Sequence, residues 1–160
     1  MKENIVIRED FKNLIPPLAQ EEFYNLEENI LTEGCRDALI VWNNQGEYIL
    51  IDGHNRYQIC AHHKLDFKVH VMEFENEDQV SDWMVNNQLG KRNVTEETKS
   101  YLRGLQYNRE KRRLGENQYT LERIGQNVPP SSTAERLAKV HLVSEKTIKR
   151  DEKYALAIEK

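Results

Sequence analysis

The segment Asp52-Gly53-His54-Asn55-Arg56 gathers a carboxylate, an imidazole, an amide and a guanidinium around one glycine, between a predicted strand and a predicted helix. A glycine at the end of a strand lets the backbone approach a bound group, and the first amides of the next helix attract an anion. We expect Arg56 to clamp this anion, His54 and Asn55 to orient a phosphate or a sugar, and Asp52 to hold a metal ion or to fix the turn. The spacing alone also allows a structural interpretation, in which Asp52 caps the helix and Arg56 forms a salt bridge.

A second group of candidate binding residues lies near the carboxyl end, where two short helices are predicted. Ser132 and Glu135 fit a capping box for the first helix, and Ser144 can cap the second. Two helices joined this tightly match a helix-turn-helix whose second helix reads DNA, with an ordinary helical hairpin as the alternative. Leu142 stands at the turn position where such motifs usually have glycine, so we expect a less favourable backbone conformation or a different turn there. The side chains expected to reach phosphates and base edges are Ser144, Lys146, Thr147, Lys149 and Arg150.

The charge of the chain is divided unevenly. Residues 1–90 carry 7 Lys and Arg against 17 Asp and Glu, a net −10, and residues 91–160 carry 16 against 10, a net +6. An acidic first part argues against nucleic acid wrapping around it, whereas a basic second part suits a DNA phosphate backbone. The alternative is a helical region whose Lys and Arg side chains are only solvated, which would give the same net charges.

The first 90 residues contain both predicted strands and predicted helices, and these elements must position the candidate residues. This mixture predicts an α+β region. Short apolar runs bounded by turn residues predict strands, and apolar residues three or four apart predict helices. The predicted strands are 5–7, 37–42, 48–51 and 67–73, and the predicted helices are 21–31, 56–63 and 77–88. The second and third strands should form a hairpin, because residues 43–46 (Asn-Asn-Gln-Gly) have turn chemistry.

The rest of the chain is predicted to be helical. A long helix should begin at Thr95, with acidic residues in its first turn, Tyr101, Leu102 and Leu105 on its apolar face and basic residues at 109–113. Residues 115–131 are polar and contain two glycines and two prolines, which predicts a linker or an irregular loop.

Length and composition indicate one ordinary domain, or a compact domain with an appendage, at 160 residues. Charged residues make up 31% and apolar residues 38%, with no run long enough for a membrane span and no leader pattern, so we expect a cytoplasmic protein. Cys35 and Cys60 lack metal-ligand spacing, and we expect free, partly buried thiols rather than a disulfide.

Three runs of sequence resemble the ParB/sulfiredoxin-like family, in particular its phage- and plasmid-type members. They are GCRDALIVW (34–42), YILIDGHNRYQIC (48–60) and NNQLGKRNVTEETKSYLRG (86–104), and the predicted helix-turn-helix follows them in the ParB order. The resemblance covers the chain from about residue 5 to the end. It implies a ParB-like α+β N-terminal domain with a small mixed sheet (1–94), followed by an all-helical region (95–160) with the helix-turn-helix at about 132–154.

The resemblance also implies a nucleotide site. In ParB partition proteins a Gly-Glu-Arg-Arg signature binds the triphosphate of CTP and supports its slow hydrolysis, and here the matching positions are Gly53 to Arg56. The missing acid and the missing second arginine weaken the case for hydrolysis, although Gly53 and Arg56 still suit a phosphate. At the third run, residues with less charge stand where ParB relatives hold a magnesium-bound triphosphate. The implied nucleotide- or phosphate-binding residues are Asp52, Gly53, His54, Asn55, Arg56, Gly34, Arg36, Asn87, Gln88, Lys91 and Arg92.

Other activities of the same fold are less well matched. Sulfiredoxins carry a reactive cysteine directly after the glycine, where this chain has His54, and Cys60 follows two helical turns later, so sulfiredoxin chemistry is not expected. A free-serine kinase of the related fold uses an Asp-Gly-His-type run, which keeps phosphotransfer open. Nuclease activity is also attached to this family, but the uneven spacing of His54, His62, His63 and His70 does not predict a metal site.

The sequence therefore predicts a ParB-like DNA-binding protein of plasmid partition, phage maintenance or transcriptional regulation. Its expected partner is double-stranded DNA, bound as a homodimer, and the only cofactor implied is a CTP-like nucleoside triphosphate with magnesium. The alternatives are a nucleotide hydrolase, a phosphotransferase or a nuclease with its site at residues 52–56, and an adaptor whose first domain holds protein partners.

Overall fold

The computed structural model describes residues 4–91, 94–123 and 132–159, with the side chains of 116–123 excepted. The chain divides into two compact units, Met1–Gln88 and Leu89–Lys160. The domain boundary predicted at residue 94 stays a prediction.

The first unit is built from both helices and strands. Its elements, in chain order, are β1 (Ile5–Val6), α1 (Glu9–Leu14), α2 (Gln20–Glu33), β2 (Leu39–Asn44), β3 (Glu47–Asp52), α3 (His54–His63), β4 (Val69–Met72) and α4 (Glu77–Leu89). The strands form one mixed sheet in the order β1-β3-β2-β4. The pair β2–β3 is an antiparallel hairpin, whereas β1 runs parallel to β3 and β4 runs parallel to β2.

Alternation along the strands gives the sheet two apolar faces. One face carries Trp42, Ile49 and Ile51, which pack in one cluster with Phe11 of α1 and with Val80 and Met84 of α4. The opposite face carries Leu39, Val41 and Leu50. A further cluster of Ile30, Ile59 and Cys60 joins α2 to α3. Both faces of the hairpin are therefore buried, which fixes where β3 ends and where α3 begins.

The element predictions for the first unit are confirmed, including the hairpin. Helix α1 was not predicted, because its six residues show only Glu9 and Asp10 in the first turn and two apolar side chains, Phe11 and Leu14. The two cysteines are free, as predicted, with Cys60 buried and Cys35 half-buried.

The described part of the second unit is helical, as predicted, with α5 (Glu96–Arg123), α6 (Thr133–His141) and α7 (Glu145–Ile158). The Thr95 hydroxyl accepts a hydrogen bond from the Thr98 amide at the start of α5. The predicted apolar face of α5 is buried. Its Tyr107 packs with the core of the α6–α7 pair, which consists of Ala134, Leu137, Ala138, Val143 and Ile148.

The loop predicted for residues 115–131 is wrong in its first half, because α5 continues through Gly115 to Arg123. A single glycine costs a helix only about 1 kcal/mol, and the residues that follow it include good helix formers. Residues 124–131, the second half of this prediction, lie outside the described residues.

Candidate functional site

Gly53 makes the turn from β3 to α3 in a conformation that other residues rarely adopt. Its φ is 93° and its ψ is 27°, in the left-handed region. A Cβ atom at this position would lie 2.7 Å from the Leu39 Cδ2 atom and 2.9 Å from the Arg56 Nη2 atom. Both the backbone and the lack of space therefore require glycine, and the gap is filled by the guanidinium of Arg56.

Arg56 folds back over this turn. Its Nη2 atom donates to Asp52 Oδ2 at 3.0 Å and to the carbonyl oxygen of Ala38 at 3.3 Å, and its Nη1 atom lies 3.7 Å from Asp37 Oδ2. The salt bridge of the structural interpretation is therefore present. The Arg56 Nε atom, however, is buried and has no acceptor among the described residues. The described residues therefore leave one hydrogen-bond donor of the Arg56 guanidinium unused.

An open cleft with a volume of about 480 Å³ lies beside the Arg56 side chain. Three of the predicted phosphate-binding residues, Gly34, Arg36 and Arg56, line it. The other lining residues are Leu26, Asn29, Ile30, Glu33, Cys35 and Asp37. Of the two arginines that line the cleft, Arg56 is the more buried, because its side chain is 20% exposed and that of Arg36 is 67% exposed. Arg36 is also ion-paired with Glu33.

The remaining residues of the turn do not line the cleft. The Asp52 carboxylate accepts a hydrogen bond from Arg56 across the turn, and the choice between its two expected roles stays a prediction. His54 begins α3, and burial lowers the pKa of its imidazole despite the nearby carboxylate of Asp52. The His54 Nε2 atom is buried without a partner in the described part of the chain, and Asn55 is half-buried in the first turn of α3.

The two predicted binding residues of the third run that belong to the first unit, Asn87 and Gln88, do not line the cleft. Asn87 and Gln88 are half-buried in the last turn of α4. Lys91 is exposed and belongs to the second unit. Arg92 lies outside the described residues. The roles predicted for these four residues stay predictions.

The second candidate site is the amino-terminal half of α7. Ser144 caps the helix, because its hydroxyl accepts from the Thr147 amide at 3.1 Å, and the Ser132 hydroxyl caps α6 in the same way through the Glu135 amide at 3.0 Å. Leu142 in the connection has a φ of 54° and is 92% exposed. The unfavourable backbone expected there is thus observed, at a cost on the order of 1–2 kcal/mol.

The cationic side chains predicted to bind DNA lie on the exposed face of α7. The side chains of Lys149 and Arg150 are 59% and 74% exposed, and Lys146 is also exposed. Thr147 is half-buried, and its hydroxyl hydrogen-bonds with that of Ser144 at 2.9 Å. The inward face of the helix carries Ile148, Asp151 and Ala155. The cations therefore project away from the core of the unit.

A buried ion pair fixes the position of α7, and sequence reasoning missed it. Asp151 is fully buried and accepts from Arg103 Nε at 2.7 Å and from Ser100 Oγ at 2.5 Å, both on α5. Gly104 allows the two helices to approach, because a Cβ atom there would overlap the Asp151 carbonyl oxygen. The helical spacing of Ile148, Asp151 and Ala155 could have revealed Asp151 as an inward-facing charge that requires a partner.

Within residues 4–91, 94–123 and 132–159, no group of three or more His, Cys, Asp or Glu side chains could hold a metal ion. None of the described helices is both long and apolar enough to cross a membrane.

Comparison with known proteins gives structural similarity without sequence similarity. No protein-family model matches the chain, and no curated protein matches it. Two solved structures of pNOB8-like ParB N-domains are similar to it with TM-scores of 0.69 and 0.67, at 18% and 19% identity. Each similarity covers 94% of this chain, but only 65% and 61% of the respective ParB N-domain chains, so this chain spans less than two thirds of their length.

A third similar structure is that of the C-terminally truncated chromosome-partitioning protein ParB from Caulobacter crescentus, complexed to the centromeric parS site. Its TM-score is 0.50 at 14% identity, over 94% of this chain and 67% of that one. Identities this low show the fold alone. The chain therefore has the fold of the ParB N-domain, an α+β unit with a small mixed sheet followed by helices, as its sequence motifs predicted.

Proposed function

We propose that the chain is a ParB-like DNA-binding protein that acts in plasmid or phage partition or in transcriptional regulation. The observation that carries this proposal is the exposed cationic face of α7, which a buried ion pair holds against α5. The fold supports it, because one protein of similar structure is complexed to parS DNA. Helix α7 would act as the second helix of a helix-turn-helix.

Electrostatics favours this surface as the docking face. Residues 91–160 carry a net charge of +6 against −10 for residues 1–90, so phosphates are attracted to the second unit and repelled by the first. Lys149 and Arg150 stand one and two positions after the buried Ile148 and can reach phosphates or base edges in a major groove. A two-fold dimer would place two such helices on the duplex.

For the first unit we propose an anion site that takes the phosphates of a nucleoside triphosphate. Its support is the buried Arg56 Nε atom without an acceptor, beside an open cleft of about 480 Å³. The carboxylates of Asp37 and Asp52 both face Arg56, which leaves the described cleft poor in ligands for magnesium. Magnesium would therefore arrive with the triphosphate, whose charge it partly neutralises, and Arg56 would bind and orient the phosphates.

The DNA proposal is tested by removing two charges from α7. The K149A/R150A variant should bind a labelled duplex of mixed sequence about 100-fold more weakly than the unaltered chain, because each contact contributes about 1–3 kcal/mol. The slope of log affinity against log salt concentration should become shallower by about 2, since each phosphate contact contributes about 0.9. Fluorescence anisotropy over a salt series gives both quantities.

The matched control is K12A/K68A, which removes the same charge from exposed positions of the first unit. It should change neither the affinity nor the slope. Equal effects of the two double variants would overturn the proposal, and so would a binding curve that does not respond to salt. Capture of proteins without DNA, together with a flat salt response, would favour an adaptor instead.

The anion site is tested by calorimetric titration of CTP, other nucleoside triphosphates and inorganic triphosphate, with and without magnesium. Arg56→Gln should abolish saturable binding, while Lys68→Gln should leave it unchanged. Release of inorganic phosphate that depends on Arg56 would identify a hydrolase rather than a binding protein. Saturable binding that survives in Arg56→Gln would rule out this cleft as the site.

A further inference from the structure

The two cysteines of the chain lie together behind the wall of the Arg56 cleft. Cys35 follows Gly34 at the end of α2 and lines the cleft, and Cys60 lies on the buried side of α3. Cys35 packs against the cluster that contains Cys60, and the Cys35 thiol is one of the neighbouring groups that raise the pKa of Cys60. Two cysteines brought into one cluster from distant parts of the chain meet the first condition for a disulfide, which is that their side chains lie close together.

The two thiols differ in their surroundings in a way that fixes an order of reaction. Cys35 is half-buried and reachable from the cleft, and its Sγ atom donates to the Asp37 carbonyl oxygen at 3.5 Å. Cys60 is 1% exposed, and burial together with the contact to Cys35 raises the pKa of its thiol to about 11. Cys60 is thus shielded from oxidants in solution, and Cys35 must react first.

We propose that Cys35 and Cys60 form a reversible disulfide in response to a hydroperoxide, which ties the turn after α2 to α3. The Cys35 thiolate attacks a peroxide oxygen, the O–O bond breaks, and a sulfenic acid forms on Cys35 while hydroxide leaves. The Cys60 sulfur then attacks the Cys35 sulfur, the S–O bond breaks, and the oxygen leaves as water with the proton of Cys60. Two electrons pass from the thiols to one hydrogen peroxide, which yields two waters.

The disulfide would alter one wall of the Arg56 cleft, a consequence that depends on the anion site proposed above. Gly34, Cys35 and Arg36 are adjacent in this wall, and Gly34 is held at a φ of 78°. Movement of the Cys35 sulfur towards Cys60 would draw this turn away from the cleft and towards the core. We expect the affinity for inorganic triphosphate to differ several-fold between the oxidised and reduced forms.

The test treats the reduced full chain with a stoichiometric amount of hydrogen peroxide under native conditions. Because the chain has only two cysteines, an intramolecular disulfide can join only this pair. We expect a monomer that has lost the mass of two hydrogen atoms, resists alkylation after unfolding and regains both thiols in dithiothreitol. Two thiols that remain alkylatable, or a disulfide that only joins two chains, would overturn the proposal.

Two single variants check the order of reaction. Cys60→Ser should stop at the sulfenic acid of Cys35, which dimedone traps, whereas Cys35→Ser should leave Cys60 unmodified while the chain is folded. Dimedone labelling of Cys60 in Cys35→Ser would contradict the order. The outcome is independent of the anion site, because mass and thiol content report the disulfide even if neither redox form binds triphosphate, a result that would overturn only the proposed function.

Discussion

Two arginine–aspartate pairs, one in each unit, have the same chemistry and different surroundings. In the second unit, Arg103 and Asp151 lie 2.7 Å apart with side chains 9% and 0% exposed. In the first, Arg56 and Asp52 lie 3.0 Å apart with side chains 20% and 17% exposed. The Arg56 Nε atom has no acceptor, whereas neither Arg103 nor Asp151 leaves a buried side-chain atom without a partner in the described part of the chain.

The difference separates an ion pair that holds the fold from one that is available to a ligand. A fully desolvated pair whose hydrogen bonds are all made can only be broken at a cost, so Arg103 and Asp151 fix the position of α7. A partly solvated pair beside a cleft exchanges partners easily, because water screens the attraction and one donor is still unused. We therefore expect substitutions of Arg103 or Asp151 to change stability. Substitutions of Arg56 or Asp52 should change binding.

The largest effect is expected for Asp151→Ala, which leaves the Arg103 guanidinium buried without its counter-ion. We expect the free energy of unfolding of the second unit to fall by about 3–5 kcal/mol. Both tryptophans, Trp42 and Trp83, lie in the first unit, so this loss must be followed by far-UV circular dichroism during urea unfolding.

The double variant R103M/D151L serves as the control for this comparison. It removes both charges together and should recover most of the lost stability, because a buried pair can often be replaced by apolar residues of similar volume. A loss as large as that of Asp151→Ala would mean that the hydrogen bond from Ser100, and not the ion pair, holds α7.

A somewhat smaller effect is expected for Gly104→Ala, at the crossing of α5 and α7. The new methyl group would overlap the Asp151 carbonyl oxygen, so the helices must separate, at a cost of about 1–3 kcal/mol. Gly115→Ala is the matched control in the same helix, because a Cβ atom there meets nothing within 4 Å. It should stabilise α5 by up to about 1 kcal/mol. Destabilisation by both substitutions in urea unfolding would contradict the close packing at Gly104.

Asp52→Asn should cost only about 1 kcal/mol of stability in the first unit, since the pair is partly exposed. Its effect on binding should be opposite to that of Arg56→Gln. The amide competes less strongly for the guanidinium and removes a negative charge beside the anion, so the affinity for inorganic triphosphate should rise several-fold. Calorimetric titration gives the affinity, and tryptophan fluorescence gives the stability. A loss of binding in Asp52→Asn would instead indicate that this carboxylate holds magnesium.

The elements and the fold could be predicted from the sequence because local patterns specify them. The hairpin from Leu39 to Asp52 joins two short apolar runs and turns at Gln45 and Gly46, and Ser132 and Ser144 mark the starts of two helices. The fold followed because three motifs stand in the order of a known family. Helix α1 could not be predicted in this way, because six residues with one buried side chain are too few to show a helical repeat of apolar positions.

The salt bridge between Arg56 and Asp52, four positions apart, could be anticipated, but the other contacts of the candidate sites could not, because they join residues far apart in the chain. Nothing local indicates that Arg56 bonds to the carbonyl oxygen of Ala38, or that Cys35 packs against the cluster that contains Cys60. The partner of Asp151 lies 48 positions away in α5. Helical spacing could reveal that Asp151 faces inward, but only the packing of α5 on α7 identifies Arg103 as its counter-ion.

The smallest effect is a pH dependence of the first unit that comes from His54. Burial lowers the pKa of this imidazole, and among its neighbours Asp52 and Glu9 oppose the shift while Lys12 reinforces it. Between the folded pKa and the unfolded value of about 6.5, the unfolded chain binds more protons at this site than the folded chain. The free energy of unfolding therefore falls as the pH falls below about 6.5, by no more than about 1.4 kcal/mol per pH unit, and this contribution levels off below the folded pKa.

Comparison with His54→Gln isolates this contribution from that of the carboxylates, which titrate in both proteins. Urea unfolding followed by tryptophan fluorescence between pH 7 and pH 5 should show a shallower decline for the variant, whatever its stability at pH 7, because glutamine binds no proton in this range. Parallel curves would mean that His54 titrates alike in the folded and unfolded chains. The His54 ring would then be accessible to water, and Arg56 would be the one residue at the Gly53 turn with a buried polar atom that lacks a partner in the described part of the chain.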